Sequence, residues 1–147
     1  MIYTDLTKKA MQIAYDAHFG QTDRGNTPYI CHPLHVADRM DTESRTVTAL
    51  LHDVLEDTSE TPQSLLSQGI PEKIVENVLL LTRKDDEPYG SYIERIVSSG
   101  NQDVLAVKYE DILHNLDETR TENNRLPEYL RQRYVKAKAR IEEVLSS

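Results

Sequence analysis

A single cysteine, Cys31, rules out any disulfide within the chain and suits a reducing, cytoplasmic setting. Long apolar runs are also missing. No stretch approaches the roughly 20 apolar residues that cross a bilayer. The opening MIYTDLTKKA has no apolar segment followed by a cleavage site, so no secretory leader is expected. Glycine and proline are scarce, five and six in 147 residues, and they fall at breaks between helical patterns. No convincing strand alternation, repeat or linker divides the chain. Positive charge is in deficit: 17 Lys and Arg against 25 Asp and Glu give a net charge of -8. That balance argues against broad binding to DNA, RNA or anionic lipid. An anionic substrate would need a local basic cluster or a metal ion.

What is present reads as helix. At 147 residues and 38% apolar composition the chain can build one core, and a single domain over residues 1–147 is expected. Residues 4–18 carry Leu6, Ala10, Ile13, Ala14 and Ala17 at helical spacing behind the cap candidate Thr4. Residues 20–33 form a polar loop with Gly and Pro, the best placed to be functional. A short helix is expected after Pro33. Residues 42–56 are apolar nearly all round and predict a buried central helix. Thr61-Pro62 opens a short helix that Gly69 ends. Further helices are expected over 71–81, around Tyr92 to Ile96, from Asn101 or Asp103 through Leu113, and over 127–145. The class is all-α.

The candidate chemistry lies in four places. His52-Asp53 sits within ALLHDVLEDT, where a buried charge is costly unless it is paired or bound to a cation. Glu56 and Asp57 follow one turn later, on the same two strips of a continuous helix. Negative charge at a helix C-terminus opposes the macrodipole, so this pair looks functional rather than structural. His32 precedes Pro33, and Asp111 lies in VKYEDILHN with His114 and Asn115 one turn on. Imidazole and carboxylate together suit a first-row transition ion. By itself a helical histidine is ordinarily a packed or surface residue, an HD dipeptide is common, and Lys108 reads most simply as a snorkelling surface lysine. A plain helical interaction domain therefore stays open at this point.

The segments AHFGQTDRGNTPYICHPLHVA, ALLHDVLEDTSET and VKYEDILHN, in this order, resemble the HD-domain superfamily. Within it they are most similar to the hydrolase domain of the Rel/Spo alarmone enzymes and their small stand-alone relatives. The resemblance spans about residues 17–115. It implies an HD-type helical bundle and one divalent ion, typically Mn2+, held by His32, His52, Asp53 and Asp111. It also implies that Glu56 and Asp57 position or activate the attacking water, and that Asn115 contacts a nucleotide. His18, Gln21, Arg24 and Lys108 fall on matching segments and are expected to serve the pocket or the phosphates. The implied reaction removes the 3′-pyrophosphate of (p)ppGpp. Alternatives are hydrolysis of another phosphorylated nucleotide or phosphate ester, or nucleotide binding without turnover. The family's bifunctional members also carry a synthetase domain, for which this chain has no length, so hydrolysis alone is expected. Where the alarmone enzymes have two adjacent basic residues after GQ, this chain has Asp23-Arg24, and its loop glycine is displaced to Gly25. Asp23 thus bears on substrate choice. The expected partner is a small phosphorylated nucleotide, with no nucleic acid or membrane and with a homo-oligomer left open.

Overall fold

A computed structural model describes residues 1–120 and 126–146. Its described residues form nine α-helices and one 3-10 turn, with no strand beyond an isolated bridge between Thr22 and Pro28. The helices are α1 (Asp5–Ala17), α2 (Cys31–Asp38), α3 (Glu43–Leu51), α4 (Val54–Asp57), α5 (Pro62–Ser67), α6 (Glu72–Leu80), α7 (Tyr89–Ser99), α8 (Gln102–Leu116) and α9 (Glu128–Leu145), and the 3-10 turn spans Glu118–Arg120. Local chemistry sets most of the starts. Thr4 with Thr7 and Thr61 with Ser64 form reciprocal capping boxes, while Thr42 and Asn101 each accept a backbone N–H from the first turn they open. Gly100 ends α7 in the left-handed region at φ +64, which a side chain disfavours.

The centre is α3, which packs against α1, α2, α6 and α8. Val47, Ala49, Leu50 and Leu51 on it are wholly buried, as the apolar pattern predicts. The expected helix over 42–56 does not run through, however. The chain leaves α3 at His52, turns at Asp53 and restarts as α4. At the break the His52 side chain competes for helix carbonyls: its Nδ1 lies 2.6 Å from Ala49 O. The other difference is α2, which begins at Cys31, two residues before Pro33. The first four N–H groups of a helix have no internal partner, so proline is tolerated there, and His32 is carried into the first turn.

Arg95 on α7 clamps the end of α6. It donates to the carbonyls of Leu80 and Thr82 and to both oxygens of Glu87. The Arg95 hydrogen bonds hold the Glu87 carboxyl at about 2, below its ordinary 4.5. A depressed acid stabilises the fold above its unfolded value and loses that contribution as pH falls through the folded value. Glu87→Gln is therefore expected to unfold at lower urea than wild type at pH 7. The gap should narrow below pH 4.5 and close near pH 2, which urea titrations across that range would read.

Candidate metal centre

Four side chains from the first turn of α2, the break between α3 and α4, and α8 converge at the middle of the bundle. The loop between α1 and α2 ends in the turn that presents His32. The break between α3 and α4 presents His52 and Asp53. The buried face of α8 presents Asp111. His32 Nε2 lies 2.8 Å from Asp111 Oδ1 and 3.8 Å from Asp53 Oδ2, and His52 Nε2 lies 3.1 Å from Asp53 Oδ2 and 3.5 Å from Asp111 Oδ1. The ligand atoms of His32, His52 and Asp53 all fall within 4.8 Å of one another.

The donor set fits a divalent cation. His52 Nδ1 faces the Ala49 carbonyl, so Nδ1 carries the hydrogen and Nε2 is turned toward the carboxylates. That buried Nε2 has no hydrogen-bond partner. His32 Nδ1 lies 2.7 Å from His114 Nδ1. Burial, with Arg120 and His32 nearby, lowers His114 to about 3, so it stays neutral. The Nε2 of His32 faces Asp111 Oδ1 at hydrogen-bond distance, 2.8 Å. Two imidazoles and two carboxylates converging on one buried point favour a positive charge between them. The field acts the same way on protons. Burial lowers His52, but the charges of Asp53 and Asp111 outweigh it and hold it well above its ordinary value. Burial raises Asp53 and Asp111, and the surrounding cations outweigh it, His52 first for Asp53 and Lys108 first for Asp111, leaving both low.

Further groups orient these four. Tyr29 donates to Asp53 Oδ2 at 2.5 Å. Burial and the Asp53 charge raise its phenol far above the usual range, so it keeps its proton. Lys108 is only 7% exposed, contrary to the surface reading, and donates to Asp111 Oδ2 at 2.8 Å. Its ammonium sits 4.9 Å from the Tyr92 ring centroid and 5.7 Å from that of Tyr89. Asn115 donates to Asp111 Oδ1 at 3.1 Å.

Glu56 and Asp57 lie beside the cluster despite the helix break. Oxygens of Asp53, Glu56 and Asp57 fall within 4.8 Å of one another. Glu56 Oε1 accepts from Arg83 N at 2.7 Å. Desolvation raises both carboxyls, with the Asp53 charge adding to it, and the Arg83 N–H partly offsets this for Glu56.

The cluster opens into a cleft with two lobes. An inner lobe of about 230 Å³ is lined by Asp53, Glu56, Asp57 and Asp111 together with Arg83, Lys108 and Arg133. An outer lobe of about 320 Å³ is lined by Thr22, Asp23, Arg24, Arg120, Leu126 and Leu130 among others. Tyr29, His32, Asn115 and Tyr134 border both. Arg24 and Asn115 thus line the cleft. His18 and Gln21 line neither lobe. His18 Nδ1 is 2.9 Å from Gln21 Oε1, and Gln21 Nε2 donates to the Asp57 carbonyl at 2.9 Å. The sequence reading also passes over Tyr29, Arg83, Arg120 and Arg133. Tyr29 stands within the quoted PYICHP run and was legible; the arginines lie on segments with no distinguishing pattern.

No family model matches the chain. It is 35% identical over 123 residues to the bifunctional (p)ppGpp synthase/hydrolase SpoT of Escherichia coli K12, covering 74% of this chain and 17% of that protein. It is 32% identical over 121 residues to the probable GTP pyrophosphokinase of Mycobacterium leprae, covering 76% and 15%. The chain thus spans about a sixth of the length of the curated relatives it matches. Among solved structures, a metazoan ortholog of SpoT that hydrolyses ppGpp superposes with a TM-score of 0.79 at 22% identity, covering 99% of this chain and 88% of that one. That likeness gives the fold, and the curated relatives give the lineage. The chain is homologous to part of the SpoT/Rel alarmone enzymes and has an HD-type helical fold.

Proposed function

We propose that this chain is a divalent-metal-dependent phosphohydrolase that removes the 3′-pyrophosphate of (p)ppGpp. The observation that carries this reading is a His-Asp cluster in which the buried His52 Nε2 has no hydrogen-bond partner, flanked by a carboxylate pair and by three cations in one lobe. The relatives named for (p)ppGpp chemistry supply the substrate.

His32, His52, Asp53 and Asp111 would hold the ion, which we take to be Mn2+. When bound, that ion supplies Lewis acidity and positive charge toward a phosphoryl group. The chain's own groups do the rest. Asp57 accepts the proton of the attacking water, and Glu56, fixed by the Arg83 N–H, orients it. Arg83, Lys108 and Arg133 offset charge on the phosphates in the inner lobe, against the chain's net charge of -8. Arg24 and Asn115 face the nucleoside in the outer lobe. His18 and Gln21 hold the Asp57 backbone in place. Water adds to phosphorus, the bond to the 3′ oxygen breaks, and GDP or GTP leaves with pyrophosphate. Among the described residues no helix is long and apolar enough to cross a membrane, and we place the reaction in the cytoplasm.

The test is incubation of purified protein with Mn2+ and ppGpp, with Asp53→Ala alongside and products resolved. Release of GDP and pyrophosphate by wild type alone is expected. Equal turnover by both proteins, or none on any phosphate ester, overturns the reading. Without substrate, saturating Mn2+ should raise the melting temperature of wild type but not of Asp53→Ala. The stabilisation is about 2.7 kcal/mol when free ion is 100 times its dissociation constant.

A further inference from the structure

Asp23 and Arg120 stand 97 positions apart and meet at 3.2 Å on the wall of the outer lobe. Both carboxylate oxygens of Asp23 are used. Oδ1 accepts from Gly25 N at 2.8 Å and Thr27 N at 3.0 Å, which folds the loop on itself. Oδ2 accepts from Arg120 Nη2. Asn26 takes the left-handed region at φ +63 inside this turn, a conformation asparagine tolerates. The two side chains are 14% and 19% exposed, so the pair is largely withdrawn from the screening that weakens surface ion pairs.

Arg120 does more than neutralise Asp23. Its Nη1 donates to His114 O at 3.0 Å, at the end of α8, and approaches Asn115 Oδ1 at 3.4 Å. The other end of that amide, Nδ2, donates to Asp111 Oδ1. An amide held by an arginine on its oxygen and a carboxylate on its nitrogen has a single orientation. One polar chain therefore runs from Asp23 through Arg120 and Asn115 to Asp111.

Resting on the reading above, we propose that Asp23 and Arg120 are positioning residues that set nucleotide affinity. Together they latch the loop after α1 to the 3-10 turn and fix the Asn115 amide for the bound nucleoside. The acid at position 23 is then directed at Arg120, so the pair adds no net charge to an outer-lobe wall that also carries Arg24, Asp117 and Glu118.

The test is a double-mutant cycle on ppGpp hydrolysis with Mn2+, paired with titration of GDP in the presence of Mn2+. Asp23→Asn leaves an oxygen for the two loop N–H groups and removes the charge, so it separates the ion pair from loop folding. Asp23→Asn and Arg120→Ala should each raise KM and weaken GDP binding by about tenfold, with kcat and Mn2+ affinity within twofold. The double variant should be no worse than either single one. Additive losses, a fall in kcat at constant KM, or unchanged affinity overturn the latch. If wild type binds GDP but does not hydrolyse ppGpp, the proposed reaction fails while the latch is still read in the GDP titrations. Absence of GDP binding by wild type overturns the latch itself.

Discussion

Asp57→Asn is expected to lower kcat by about 10²–10⁴-fold, the contribution of a general base, with KM and Mn2+ affinity little changed. The carboxylate of Asp57 lies within 4.8 Å of an oxygen of Asp53 but belongs to no set with the two histidines, so its removal spares the cluster. The amide keeps the shape, and Gln21 still holds the backbone carbonyl. Glu56→Gln should cost less, because an amide oxygen can still accept the Arg83 N–H. The variant should also separate catalytic loss from unfolding. Desolvation and the Asp53 charge raise the Asp57 carboxyl, so its ionised form at neutral pH works against the fold. A neutral side chain removes that opposition, and Asp57→Asn should melt no lower than wild type. A melting temperature well below wild type, or full activity, contradicts the assignment. The measurement is steady-state kinetics with ppGpp beside a thermal melt.

Asp111→Ala should do the reverse and destabilise the protein itself. The Lys108 ammonium is buried against Tyr89 and Tyr92, with Asp111 Oδ2 at 2.8 Å as its counter-charge. Burial alone lowers this lysine, and the Asp111 charge outweighs it and holds it well above its ordinary value. Truncating one member of a buried pair strands the other, at about 3–5 kcal/mol. For a chain of this size that lowers the melting temperature by roughly 6–20 °C. Lys108→Met in the same background should restore much of the stability, because the stranded charge is gone and methionine fills a similar volume. Mn2+ binding should stay lost in both, since neither carries the Asp111 oxygen. Melts of the two single variants and the double one, with and without Mn2+, give the coupling directly. Additivity would mean that Lys108 and Asp111 do not stabilise each other.

The two results probe different parts of one construction. Asp57 sits on the cleft side of the cluster, where desolvation raises an acid and strengthens a base. Asp111 sits on the bundle side, where a lysine and two tyrosine faces hold a carboxylate ionised within the core. The first position trades stability for its proposed role as base. The second ties the proposed metal site to the packing of α8 against its neighbours.

Much of this molecule was readable from its residues, for reasons confined to short range. Helical class follows from apolar spacing, and the starts at Thr4, Thr42, Thr61 and Asn101 follow from side chains that cap their own first turns. The grouping of His52 and Asp53 with Glu56 and Asp57 is legible because the residues are neighbours in the chain. Where a local hydrogen bond competes with the helix the residues give no sign of it: nothing in ALLHDVLEDT announces that the His52 ring will bond to the Ala49 carbonyl where the helix breaks at Asp53. Contacts between distant segments were out of reach for a further reason. Lys108 has the spacing of a surface residue, and its burial depends on Tyr89 and Tyr92 closing over it from α7. Asp23 reads as a reversed charge facing a ligand until Arg120, 97 residues away, supplies its partner. Capping and periodicity act over one or two turns and are written in adjacent residues. The partner of a buried charge is set by which helices pack together, and that choice belongs to the whole core at once.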